Sequence, residues 1–127
     1  IKPSGYQVAL NGQNFPQNYY FHHTKGAPGY LKYAGVTASG KHPTQINFPL
    51  YPANENKSFK ALLIGDPQAA DKERIDFFRD GGVTDMLRQK ADLYIILGDI
   101  ADDYLEIYPR EKAIMSMLEI PGYHVPG

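Results

Sequence analysis

The chain has no cysteine, which excludes disulfides, a thiolate metal site and a thiol nucleophile. Compartment stays open on that count, because cysteine-free proteins occur on both sides of a membrane. No apolar run approaches the ~20 residues of a membrane span, and the residues from Ile1 onward show no leader pattern. A glycine-rich phosphate loop and a Gly-x-Ser-x-Gly elbow are both missing. Nucleotide kinases and serine hydrolases therefore have no support. The basic residues are scattered and form no stripe, which argues against a nucleic-acid face. Nothing repeats.

What is present divides into two kinds of material. The 127 residues suffice for one ordinary domain or two small ones. Residues 1–58 carry five Lys and one Glu, a net +4, whereas residues 59–127 carry eight Lys/Arg and thirteen Asp/Glu, a net −5. Two readings follow: the parts attract one another, or some of the acidic excess awaits a divalent cation. Residues 1–58 also hold six of the ten Tyr and six of the ten Pro. Apolar pieces there are short and broken by Asn11-Gly12, Lys25-Gly26-Ala27-Pro28-Gly29 and Ser39-Gly40. Tyr19-Tyr20-Phe21 and Tyr30-Leu31-Lys32-Tyr33 are candidate strands, Asn11-Gly12 a turn. Phe48-Pro49-Leu50-Tyr51-Pro52 suits an edge strand or an extended crossing segment. Residues 53–58 are polar and make the best linker.

From Phe59 the pattern is βαβαβ. The run Lys60-Ala61-Leu62-Leu63-Ile64 suits a strand buried on both faces. Asp71 can cap a helix whose inward stripe is Ile75, Phe78, Gly82, Val83, Met86 and Leu87. Gly81-Gly82 interrupts that helix, which breaks there or presses close to the sheet. A second strand, Asp92 to Leu97, leads to a helix opened by Pro109 with the stripe Ala113, Ile114, Met117 and Leu118. Pro121-Gly122 closes it before Tyr123-His124-Val125-Pro126. Helices between strands at this spacing predict parallel strands joined by right-handed crossovers.

Two of these strands end on acidic motifs, Gly65-Asp66-Pro67-Gln68 and Gly98-Asp99-Ile100-Ala101-Asp102-Asp103. On neighbouring parallel strands they collect oxygen donors at the carboxyl edge, where open α/β sheets bind ligands. Carboxylate and amide oxygens suit hard divalent cations. Asp66 and Gln68, alternating along an extended turn, would face the same side. The bland alternative is that such residues cap the following helices or meet solvent.

These residues resemble the start of a calcineurin-like metallophosphoesterase. In that family the first motif is Asp-x-His, the second Gly-Asp-x-x-Asp, and the third a Gly-Asn-His-Asp/Glu after a Val-Pro-like strand. Tyr123-His124-Val125-Pro126-Gly127 is similar to the approach to the third motif. The likeness is to a Bacteroidetes branch with a catalytic domain between β-rich domains. It implies that residues 1–58 are the C-terminal part of the β-rich N-terminal domain. Residues 59–127 would then be the N-terminal part of the catalytic sandwich, truncated at the third motif. By resemblance Asp66 ligates a first metal and Asp99 bridges two. Gln68 stands where most members have His, which leaves Mn, Fe, Zn and Mg all open. Asp102, or Asp103 one residue on, would orient other groups. The family's Asn ligand and its His acid have no matching position, so the chain is expected to be an incomplete fragment with little activity alone. Its partner would be a phosphoester substrate, and its location leans towards the periplasm.

Other readings compete. A magnesium-binding phospho-acceptor domain also uses Asp at strand ends. A non-catalytic interaction module is the third, with exposed strand edges favouring a dimer. His22-His23 reads as a loop pair rather than a metal site, since adjacent strand residues point to opposite faces. His42 lies in a turn, and His124 reads as a mid-strand residue satisfied by a hydrogen bond. The Tyr-rich segment either buries against its neighbour or stacks on carbohydrate.

Overall fold

A computed structural model describes residues 2–125 and Gly127. The chain is mixed α/β with two small sheets. β1 (Tyr6–Val8) pairs antiparallel with β2 (Leu50–Pro52), so the Pro-flanked segment becomes one strand of a two-stranded ribbon. The three-stranded sheet is parallel, in the order β3 (Ala61–Ile64), β4 (Leu93–Ile96), β5 (Gly122–His124). Ile64 is level with Ile96, and Ile96 with His124. All three strands therefore end at the same edge.

The first crossover is one helical run with a change of pitch. Helix α1 (Lys72–Phe78) passes through a π-turn at Arg79–Val83 into α2 (Thr84–Arg88). As expected, Asp71 caps it, its carboxylate accepting from the Arg74 amide at 2.8 Å. Gly81 and Gly82 neither break the helix nor contact the sheet. They occupy the π-turn, where the ring of Phe78 leaves only 3.0 Å for a side-chain carbon at Gly82. Ile75 and Val83 are buried and Phe78 and Met86 pack beside them, but Leu87 faces solvent.

The second crossover begins with a 3-10 turn at Leu105–Ile107 and continues as α3 (Tyr108–Ser116), with Pro109 in its first turn. Its inward face is Glu111, Ile114, Met115 and then Leu118. The expected stripe is rotated: Ala113 and Met117 are exposed. Arg110 fastens α3 to α1 with two hydrogen bonds to Asp76, at 2.7 and 2.6 Å. That pairing holds the Asp76 carboxyl below its ordinary range.

Every member of the buried apolar core lies between Ile64 and Leu118. The sheet is covered on one face only. On the other, Leu63, Ile95 and Tyr123 stand in register, with Leu63 65% exposed. The reading of β3 as buried on both faces is thus corrected: α1, α2 and α3 supply a single layer.

Residues 1–58 contribute little to that core. Neither Tyr19–Phe21 nor Tyr30–Tyr33 forms a strand; both lack a partner to close their backbone hydrogen bonds. Asn11 does make its turn, its side chain accepting from the amides of Gln13 and Phe15. Five of the six tyrosines here are exposed, which corrects the expectation that they bury. The opposite charges of the two parts form no salt bridge across them among the described residues. Instead Tyr33 donates to Glu106 at 2.9 Å, and the Asn14 carbonyl accepts from the Gly122 amide at 3.1 Å.

Candidate functional site

The two acidic motifs run side by side beyond β3 and β4. The ladder first continues through the Leu97 amide to Ile64 and the Val125 amide to Ile96, at 2.8 and 2.9 Å. The Gln68 amide then donates to the Asp99 carbonyl at 2.7 Å, and Ala69 bridges Ala101 in the parallel sense. Both motifs are thereby clamped together just past the sheet. This is the edge at which the strand ends were expected to collect their donors.

Asp66, Gln68 and Asp99 all have left-handed backbone, with φ of 46°, 34° and 42°. Only six non-glycine residues do so among those described. The alternating, extended arrangement expected for Asp66 and Gln68 is therefore corrected; the chain winds tightly around Pro67 instead. Left-handed φ is unfavourable for side chains beyond Asn and Asp, and such conformations cluster where function over-determines the backbone. Gly98, itself at φ 108°, allows the sharp entry to Asp99.

The donor side chains are exposed, and none of the three enters a hydrogen bond or ion pair among the described residues. A side-chain carbon built on Gly127 would lie 1.7 Å from the Asp99 carboxylate and 2.5 Å from its amide. Glycine at that position is what leaves room for the carboxylate. Gly127 therefore brings the exit of β5 against the second motif. Pro126, part of the approach to the expected third motif, lies outside the described residues, as does Ile1. Asp102 follows the Ala69–Ala101 bridge, its amide donating to the Ala69 carbonyl at 3.3 Å. Asp103 sits further out, its carbonyl accepting from the Tyr33 hydroxyl at 3.2 Å. Both are exposed.

As a set of donors for a divalent cation, two carboxylates and one amide oxygen are chemically suitable but few. Among the described residues no three His, Cys, Asp or Glu side chains gather into a metal-binding group. Comparison with known protein families, with curated proteins and with solved structures finds no match for this chain.

A second polar cluster escaped the sequence. Glu111 on α3 is 1% exposed, and its Oε1 lies 3.7 Å from Nε2 of His124 on β5. Both Glu111 oxygens, His124 Nε2 and the hydroxyl of buried Tyr94 lack hydrogen-bond partners. His124 is thus mid-strand as expected, but without the expected hydrogen bond. Burial pushes the Glu111 carboxyl up to about 7, and pushes the His124 imidazole down to about 4 with help from Lys112. In sequence Glu111 sits within Arg110-Glu111-Lys112 and looks like a solvated face. Its spacing to Ile114, Met115 and Leu118 was the available signal.

The remaining histidines stay on loops. His22 lies edge-on to His42 with ring centres 4.9 Å apart, and accepts from or donates to Ser39 at 3.1 Å. His42 donates from Nδ1 to the Pro43 carbonyl at 2.8 Å. His23 is exposed and joins neither ring pair.

Proposed function

We propose that this chain carries part of the metal site of a phosphoester hydrolase, with Asp66, Gln68 and Asp99 as its donors. One observation carries the reading. Three potential donors stand just past the ends of adjacent parallel strands, all in left-handed backbone, and among the described residues no protein group bonds their side-chain oxygens.

Divalent cations held there would polarise a phosphoryl oxygen and make a bound water more acidic. The protein's own part is positional. The Gln68–Asp99 backbone hydrogen bond fixes the separation of the two motifs, and Gly127 preserves space around the Asp99 carboxylate. Asp102 lies two residues beyond Ile100, whose side chain is anchored in the core. It is placed to orient groups that approach the edge. The row Leu63, Ile95 and Tyr123, exposed at its two ends, supports a sandwich, since a second layer laid on it would bury apolar surface.

Two cations require roughly eight ligand atoms, so the 127 residues alone should bind metal weakly and turn over slowly. Manganese titration followed by paramagnetic broadening of amide resonances tests the site. Broadening should centre on residues 66–68 and 98–100 with a Kd of about 0.1–1 mM. Asp99→Asn should weaken it by about tenfold or more, while Asp85→Asn on α2 leaves it unchanged. Equal loss in both variants would reject the assignment. Hydrolysis of bis-p-nitrophenyl phosphate by the chain should be barely above background. Rapid turnover would show instead that these residues form a complete site.

A further inference from the structure

We propose that the cavity between residues 11–21 and strand β5 binds an acidic saccharide. It has a volume of about 410 Å³, within the span of small-molecule clefts. It does not rest on the metal reading, because none of Asp66, Gln68 and Asp99 lines it.

The wall is aromatic. Phe15, Tyr19 and Phe21 line it, and the Tyr19 and Phe21 rings lie 5.1 Å apart at 51°. Those two side chains are 55% and 70% exposed, so their faces are open. A pyranose offers a flat C–H face to an aromatic ring and hydroxyls at its edge, matching rings bordered by polar groups. Asn18 lines the same cavity, and its amide makes no hydrogen bond among the described residues.

The charge is of one sign. No Asp or Glu lines the cavity although the chain as a whole is net −1. Lys112 does, with its ammonium 5.9 Å from the Phe15 ring centre and no ion pair among the described residues. A hexuronic acid supplies the carboxylate that this ammonium lacks, together with the hydroxyls and the C–H face.

His124 gives the cavity a structured side. Its ring meets the edge of Phe15 at 4.9 Å and lines the cavity. Behind it lies the Glu111 carboxyl, 1% exposed and unpartnered, 3.7 Å from Nε2. The ring is held by strand β5 and by its edge contact with Phe15, beside the cavity where a ligand hydroxyl can reach it.

Trigalacturonate and its fully methyl-esterified form, titrated into the chain and followed by amide resonances, test the proposal. Shifts should be confined to residues 11–21, 112 and 122–124, with the acid form bound about tenfold more tightly at low salt. Tyr19→Ala with Phe21→Ala should weaken both forms about tenfold or more. Lys112→Gln should abolish the preference for the acid while retaining the ester. Unchanged dispersion of the remaining resonances establishes that the variants are folded. No shift with either trimer at about 10 mM, a weak-binding limit, would overturn the proposal. So would shifts of these residues on raising protein concentration alone, which would make the face a contact with a second copy.

Discussion

Glu111, His124 and Tyr94 place four polar atoms in the core without hydrogen bonds, and their titration should be visible in stability. Glu111 holds its proton more tightly folded than unfolded. Its contribution is complete below about pH 4.5 and is lost as pH rises through about 7. His124 has the opposite sign: its contribution is complete above about pH 6.5 and is lost as pH falls through about 4. The two slopes oppose one another over most of that window, so the wild-type profile should be nearly level. In His124→Gln the Glu111 slope stands alone. Urea melts of that variant should show stability falling by roughly 3 kcal/mol across the window, and a level profile would refute the burial-driven rise at Glu111. The sequence carried one hint of this, the spacing of Glu111 to Ile114, Met115 and Leu118, but Glu111 is flanked by Arg110 and Lys112 and the packing of α3 decides which of them turns inward.

At the scale of elements, the helix between β3 and β4 shows what local sequence reveals and what it hides. The Asp71 cap and the Ile75 and Val83 contacts follow from capping chemistry and helical period. The π-turn does not, since no capping residue or helical period announces the wider turn at Arg79–Val83. The two glycines should respond differently to alanine. Gly81 has open space around it, so Gly81→Ala should stabilise the chain by about 0.5–1 kcal/mol. At Gly82 a methyl group meets the Phe78 ring at 3.0 Å, so Gly82→Ala should lose that gain or reverse it. Thermal melts of both variants check this, and equal gains would mean that the π-turn yields without cost. The candidate strands at Tyr19–Phe21 and Tyr30–Tyr33 failed for a related reason. Aromatic β-propensity expresses itself only where a neighbouring strand exists to pair with.

Across the whole molecule, the parallel order and the shared strand edge were legible because apolar runs followed by Gly-Asp alternate with helical spacing. The one-sided layering was not, since Leu62 and Leu63 are equally apolar and only tertiary contact distinguishes their faces. The outward row ending at Tyr123 makes surface chemistry testable there. Leu63→Lys should change stability by less than about 0.5 kcal/mol, because the site is mostly solvated. The same substitution should reduce self-association at high concentration, as sedimentation velocity would show. A loss of several kcal/mol would mean that this face is covered in solution.

The left-handed backbone at Asp66, Gln68 and Asp99 also bears on how this chain can evolve. Glycine would relax all three positions, so selection for robustness alone pulls towards sequences with no oxygen donors at that edge. Under the proposed metal role, selection for ligand binding pulls the other way, most strongly at Gln68, whose side chain is the least suited of the three to its conformation. A lineage released from the second pressure would drift to glycine there first. Under the proposed metal role, heat tolerance and chemistry therefore compete within these two short stretches of chain.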